Sequence, residues 1–568
     1  MSPPTLWWRP TAIVGVLMVA AVTCLLARLV LEAADDSLPV VATLLVTYVV
    51  MRVAAIAEPA ETLGLVISMA ALMTIQRDIA ASRKITVSVF GSACAVALLV
   101  KFDAGVEAAL AAMAASWWIG WRRWRSLGQF VATLGLSLIV IWLCIGQNVN
   151  DVPVWLVRSW EAAAGYTVAM AAYLPTHETE VAVALFFIPT IALAAKWSSR
   201  RRLLGAAAVA AVVVYFQVKH GTVRYQVGGT YLAGVVLPVV IAWQWRARAV
   251  AFVLPAALLT YLFTLAPPAH LSRLTMSPTA TAQEFFTQAS DLASHSRSRR
   301  LESTTRVALA QYLDVSPKIL SAVRGHRVFV DPYEVSAAWA YQFRWQPVPV
   351  FQRFSAYLPS LDAANTAFLL SPEGPDVILR QRKRGAIDGR NLLWDSPAMT
   401  LAMSCNFAIT VQDRHWQVWS RVAQRCGPPE LIDRVTAQPD HAVTVPAPTQ
   451  ADTLVFARVA IPSSLGSRLV ATLYKPVCPA ILATDDRRYR LVPATADDGL
   501  ILGEPPTAPF GSVQLPHTLT FHCMPGSPVR IDFYAMRYEA RALPKTRSRG
   551  ERAAARRHGA NLLNSPPN

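Results

Sequence analysis

The hydrophobic pattern divides the chain near residue 266. Before that point long uncharged runs recur at roughly 11–31, 38–56, 62–76, 85–100, 104–120, 128–146, 181–195, 203–216, 227–242 and 250–266. Each holds about 15–21 residues, close to the ~20 that an α-helix needs to cross the hydrocarbon core of a bilayer. Ala, Gly and Ser are frequent in them, as suits helices packing closely in lipid. The pattern predicts a polytopic α-helical membrane bundle of about 10–11 spans over residues 1–266. The first run lies in WWRPTAIVGVLMVAAVTCLLARLVL and is followed by further spans, so it reads as a transmembrane helix rather than a cleaved leader.

Beyond residue 266 the period changes. Residues 281–435 alternate helical patterns (TRVALAQYL, SPKILSAVRG, SLDAANTAFLL) with short β-rich runs (RVFVD, PVPVF, PDVILR, FAITVQ), which predicts an α/β domain. Residues 436–541 carry alternating or β-branched stretches (AVTV, TLVFARVAI, RLVATLY, RYRLV, SVQL, TLTFHC, VRIDFYAMRY) separated by Pro, Gly and Asp turns. That spacing predicts a β-sandwich. Residues 543–568 hold RSRGERAAARRHG and no packing pattern, and read as a disordered basic tail.

Charge orients the spans. The formal net charge is +17 over 568 residues, and no nucleic-acid motif accompanies it. The simplest partner for the basic tail is acidic lipid or polymer. The basic clusters WRRWR (121–125), KWSSRRR (196–202) and WQWRAR (243–248) are separated by even numbers of crossings, and the Lys/Arg bias places all three in the cytoplasm. The loop 147–180, the segment 217–226 and everything after 266 then lie outside. Ten crossings put residue 1 outside and EAADDS (32–37), with Asp35 and Asp36, inside; an eleventh reverses both. Cys405, Cys426, Cys478 and Cys523, an even number after residue 266, fit an oxidising compartment, with sequential pairing the simplest. The expected location is the cell membrane, with the C-terminal region extracytoplasmic.

Two external segments offer chemistry. VKHGTVRYQ (218–226) reads as a tight hairpin loop bearing Lys219, His220 and Arg224. Cations at the outer membrane surface suit a phosphate or diphosphate, bound by charge-assisted hydrogen bonds; snorkelling or pairing with Glu178, Glu180 and Asp151 is the structural alternative. In 147–180, WLVRSWEAAAGYTVAMAAYL has helical spacing, with Trp155, Trp160, Tyr166 and Tyr173 interleaved with Arg158 and Glu161. It reads as an interfacial or re-entrant helix. Asp151 and Glu161 are the candidate catalytic carboxylates, acting as general base on a sugar hydroxyl, and Arg158 joins the cationic binding set. A helix that caps the bundle with Arg158 and Glu161 paired is the alternative. Residues 345–369 are dense in aromatics around Gln352, Arg353, Ser355, Asp362 and Asn365, a pattern of a core with a capped helix or of carbohydrate stacking. No metal spacing, P-loop or G-x-S-x-G pattern occurs in the sequence, and no cofactor is implied.

GQNVNDVPVWLVRSWEAAAGYTVAM, VKHGTVRYQ and WQPVPVFQRFSAYLPSLDAANTAFLLSPEGPDVILR together resemble a group of uncharacterised bacterial polytopic membrane proteins with an exported C-terminal domain. IDGR (387–390) and YRLVPATADDGLIL fit the same pattern. In that group an acidic residue and a His commonly follow the hairpin Arg, where this chain has Tyr225-Gln226-Val227-Gly228. More loosely, many spans before an exported mixed domain is similar to the C-type, lipid-phosphosugar-dependent glycosyltransferases. That architecture implies an envelope enzyme taking a polyprenyl-phosphate-linked sugar and an envelope glycan; the alternative is a non-catalytic, membrane-anchored glycan- or partner-binding protein.

Overall fold

The apolar runs at 62–146 and 203–216 fold as helices: α1 (Pro59–Gln76), α2 (Arg83–Val100), α3 (Phe102–Ile119), α4 (Arg123–Cys144) and, after α5 (Val152–Met170), α6 (Arg200–Arg224). The computed structural model describes residues 59–76, 83–119, 123–172, 200–224, most of 283–294, and 295–382, 385–476, 478–485, 487–510, 513–523 and 528–539. The runs at 11–31, 38–56, 181–195, 227–242 and 250–266, the EAADDS stretch and the tail lie outside these residues. Among those described, Arg123–Cys144 and Leu204–Gly221 are long and apolar enough to cross a membrane, while Leu63–Leu72 and Lys84–Val100 are shorter apolar stretches. The architecture is therefore helices together with mixed sheets, and the ten- or eleven-span count rests on sequence pattern alone.

The described residues form two compact units, one within 1–308 plus 463–480, the other within 309–462 plus 481–568. In the helical unit, α2 and α4 run parallel: Gln129 donates to the Lys84 carbonyl at 2.8 Å, and the Ser92 and Ser137 hydroxyls meet at 2.8 Å. Helices α1 and α3 run the other way, in near backbone contact. A Cβ added at Gly64 would fall 2.8 Å from the Ala104 carbonyl oxygen, and one at Gly105 2.3 Å from Leu98 Cα. Small residues permit this close approach of helix backbones.

The two ends of the unit differ. At one end, Trp117 meets Trp124 (centroids 4.8 Å apart), and the backbone of Gly205 lies against the Trp118 ring. The ends of α3 and the starts of α4 and α6 therefore gather there. At the other end lie the starts of α1 and α3 and the ends of α4 and α6. Helix α5 has both of its ends at that second end. Trp155 near its start packs on Phe102 at 6.0 Å and Trp142 at 5.3 Å, and the Met170 carbonyl at its finish accepts from Arg224 at 3.1 Å. A 19-residue helix is about 28 Å long, so α5 lies across the end of the bundle rather than along it.

In the second unit a five-stranded mixed sheet has the order β2-β1-β3-β5-β4. Its strands are β1 (Arg327–Asp331), β2 (Arg344–Trp345), β3 (Val377–Gln381), β4 (Phe407–Gln412) and β5 (Trp416–Arg421). Strand β1 is parallel to β2 and β3; β5 is antiparallel to β3 and β4. Both faces are covered. Val328, Val330, Leu379 and Trp416 pack with Ile319 and Val323 of α7 (Pro317–Val323). Phe329, Ile378 and Trp419 pack with Leu369 of α8 (Pro359–Leu370) and Met399 and Met403 of α9 (Pro397–Asn406). Alternate residues of one strand enter different cores, which is why RVFVD and VILR read as continuous apolar runs.

Two four-stranded antiparallel sheets follow, in the orders β11-β8-β13-β6 and β10-β9-β12-β7. The strands are β6 (Glu430–Ala437), β7 (Ala442–Thr444), β8 (Thr453–Ala460), β9 (Ile481–Ala483), β10 (Arg488–Arg490), β11 (Leu500–Gly503), β12 (Thr518–His522) and β13 (Val529–Arg537). Cys405 and Cys426 are joined, the pairing expected from their order, and Cys478 and Cys523 are also disulfide-bonded.

Four local expectations need correction, the first being SVQL, whose described residues 513–515 form no strand. RLVATLY is not a strand: it belongs to helix α10 (Leu465–Leu473), capped by the Ser464 hydroxyl, which accepts from the Ser467 amide at 3.1 Å. PVPVF forms no strand, its two prolines removing ladder donors. The segment 218–224 is not a hairpin loop but the last two turns of α6.

Candidate functional site

Because 218–224 is helical, Gln217, His220 and Arg224 stand at i, i+3 and i+7, on one face of α6. Asp103 and Glu107 stand at i, i+4 in the first turns of α3, and Glu61 in the first turn of α1. The helix ends bring these side chains together. His220 Nε2 lies 2.9 Å from Asp103 Oδ2, and His220 Nδ1 lies 3.9 Å from Glu61 Oε1. Lys101, between α2 and α3, donates to Glu61 Oε1 at 2.8 Å. Gln217 donates to Glu107 Oε2 at 2.8 Å, and the other oxygen, Glu107 Oε1, is buried with no hydrogen-bond partner among the described residues.

Burial grades across the cluster. Glu107 is 0% exposed and Glu61 2%, whereas the Asp103 side chain is 33% exposed. Its Oδ1 accepts from the Ala104 amide at 2.9 Å and its Oδ2 faces the imidazole, which fixes the carboxylate in place. Asp103 is thus the carboxylate of the cluster that a ligand from outside reaches first. Ionisable groups so placed in an apolar helical bundle are costly, and typically line a substrate or ion path.

The sequence-selected residues separate into groups. His220 joins the cluster; Arg224 turns to the Met170 carbonyl at the end of α5, where the Ala172 amide also donates to the Val223 carbonyl at 2.6 Å. Lys219 points elsewhere, to the Tyr215 hydroxyl at 3.5 Å and the Thr472 carbonyl of α10. Arg158 and Glu161 pair with each other at 2.8 Å on the surface of α5. Asp151 is exposed at the start of α5 and its side chain makes no capping hydrogen bond. The carboxylates that meet His220 are Asp103 and Glu61, which the sequence reading did not select. The signal for Asp103 was its i, i+4 pairing with Glu107 at the opening of an otherwise apolar run, and for Glu61 its place just ahead of another. The partner helix, however, lies more than a hundred residues away.

In the second unit, the polar set of 345–369 is wired into the core. Arg353 Nε lies 2.9 Å from Asp331 Oδ1, and the guanidinium also donates to Thr400 Oγ1 at 3.0 Å and the Leu392 carbonyl at 2.8 Å. Arg380 pairs with the other Asp331 oxygen. Asn365 bonds both backbone groups of Val350, at 2.8 and 3.0 Å. Asp362 accepts from Ser396 Oγ (2.6 Å) and from the amides of Ala398 (2.9 Å) and Met399 (3.1 Å), capping α9 from a neighbouring helix. Burial pushes the Asp362 carboxyl up against the pull of these donors. Burial likewise pushes Glu504 up to about 7, and burial together with Asp362 and Asp497 pushes Asp498 up to about 7.

The second unit also holds an open cleft of about 640 Å³ over the Cys405–Cys426 bridge. Asn406, Gln424 and Arg458 stand at its rim, above Leu401, Phe456 and Met536. Compared with protein-family models, with curated proteins and with solved structures, the chain matches none.

Proposed function

We propose that the chain is an integral membrane protein of the cell envelope that transfers a sugar from a polyprenyl-phosphate carrier to an envelope glycan on the external face. The observation that carries this reading is the Asp103–His220 pair, at the bundle end where α5 lies across the helices. Of the basic clusters, Arg123, Arg125 and Arg200 to Arg202 belong to the opposite end, in the first turns of α4 and α6. By the Lys/Arg bias that end is cytoplasmic, and the cluster end external.

Asp103 is the general base of this reaction. It takes the proton of the acceptor hydroxyl as that oxygen bonds to the anomeric carbon; the bond from that carbon to the phosphate oxygen breaks, and the carrier phosphate leaves with the electron pair. His220 holds the carboxylate, and Arg224, with Lys219 on the adjacent face of α6, supplies cations for the carrier phosphate. Lipid at the end of the bundle presents that phosphate at the depth where α6 finishes. The cleft of the second unit, where Asn406, Gln424 and Arg458 stand among apolar side chains, favours a second reading, a membrane-anchored glycan-binding protein.

Deletion of the gene, followed by complementation and envelope-glycan analysis, separates the two. Asp103→Asn at normal protein level is expected to lower transfer by about 100-fold or more, the usual contribution of a positioned base. A glycan profile restored in full by the Asp103→Asn protein refutes catalysis and leaves the glycan-binding reading.

A further inference from the structure

Helix α10 is an excursion between β8 and β9, yet it belongs to the helical unit. It docks there through its small side: Ala471 is buried, and the Thr472 carbonyl accepts from the Lys219 ammonium of α6. Its large apolar residues face the other way. Leu465 is 84% exposed, Leu469 60%, and Val470 and Leu473 about half. Leu465, Leu469 and Leu473 follow one another at i, i+4 and i+8 and form a single stripe. A nine-residue helix that hides alanine and displays leucine is inverted relative to a helix whose neighbour is water.

Height along α6 identifies what covers the stripe. The stretch of α6 able to cross a membrane, Leu204–Gly221, ends two residues beyond Lys219. A carbonyl bonded to the Lys219 ammonium therefore sits at the level where the crossing ends, in the headgroup region. Helix α5, which lies across the same end, exposes Val154, Val157 and Trp160. Directly after α10, Tyr474 lies 5.6 Å beneath the Lys475 ammonium, an aromatic–cation pair of the sort that settles at the membrane–water boundary.

We propose that α10 is an interfacial anchor, lying in the plane of the outer leaflet with Leu465, Leu469 and Leu473 sunk to the headgroup–acyl boundary. Its ligand is the lipid surface itself. The inference rests on the membrane reading of the bundle given above, although not on catalysis.

Nitroxide depth measurements test it. The full-length chain, with Cys24, Cys94 and Cys144 replaced by Ala, is reconstituted in phosphatidylcholine–phosphatidylglycerol vesicles. A spin label is placed singly at Leu469→Cys, Leu473→Cys, Arg468→Cys and, on an exposed face midway along α4, Leu136→Cys. Labels at 469 and 473 are expected to collide with oxygen several-fold more, relative to a water-soluble nickel chelate, than the label at 468. Equal nickel access at 468, 469 and 473, with 136 in lipid, overturns the α10 inference alone. Nickel access at 136 as well overturns the membrane reading beneath it.

Discussion

Replacing Glu504 by Gln makes a pH-dependent difference in stability. Glu504 is buried just beyond β11, its Oε1 accepting from the Ser404 hydroxyl of α9 at 2.5 Å, and its Oε2 has no hydrogen-bond partner among the described residues. Burial raises its carboxyl from 4.5 to about 7, against the opposing pull of Ser404, the Phe510 amide and Arg380. The folded state thus holds a proton that the unfolded chain gives up near the ordinary value. This contribution is fully present below pH 4.5, shrinks as the pH rises, and is gone above pH 7. The span from 4.5 to about 7 is worth about 3 kcal/mol. Gln keeps the carbonyl that accepts from Ser404 and has nothing to ionise. Asp362, Asp395 and Asp498 are shifted in the same direction, but they are common to both proteins and cancel in the difference. Native-state hydrogen exchange by mass spectrometry on the full-length protein, corrected for the intrinsic rate at each pH, reads the opening free energy of the slowest amides in β3 and β11. The gap in favour of Glu504→Gln should open by about 3 kcal/mol between pH 4.5 and 8. A gap independent of pH, or one that widens toward acid, would refute the reasoning.

Two further substitutions probe the same unit. Arg353→Met leaves a fully buried Asp331 with one of its two guanidinium partners and strands the Leu392 carbonyl. A cost of about 3–5 kcal/mol is expected, seen as a lowered melting temperature. Asp362→Ala removes three hydrogen bonds from the start of α9, where Ser396 in a left-handed conformation makes no side-chain cap of its own. At about 1 kcal/mol each, exchange of the amides at 398–401 should accelerate about 100-fold, with Asp362→Asn recovering part of the loss.

The parts legible in the sequence were those with a long, clean period. The apolar runs at 62–76, 85–100, 104–120, 128–146 and 203–216 all lie on helices, and RVFVD, PDVILR, FAITVQ and TLVFARVAI on strands. Short segments failed for a physical reason: a run of a few apolar residues fits either period. RLVATLY carries leucines at helical spacing together with β-branched residues, and Ser464, two residues beyond Pro462, decides the case by capping a helix. WQVWSR, which is β5, gives a weak strand signal because its two tryptophans stand three residues apart and do not alternate. In VKHGTVR the charges suggested a loop, yet nothing there breaks a helix; they are spaced to meet partners on α1, α3, α5 and α10. That meeting is tertiary, and no local pattern encodes it. The aromatic segment 345–369 is a core, since Arg353, Asp362 and Asn365 spend their hydrogen bonds inward.

The glycines at 64 and 105 govern how far the paired charges at the shared helix ends can travel. With α1 touching α3 at the level of bare backbone, and α3 touching α2 in the same way, the three helices have no slack in which to slide. The spacing among Glu61, Lys101 and Asp103 is accordingly a property of the scaffold rather than of side-chain choice. Among the described helices that touch the cluster, α5 and α6 lack such a backbone lock to this trio. A methyl group at either glycine would act as a wedge, altering the charge geometry without removing a single charge.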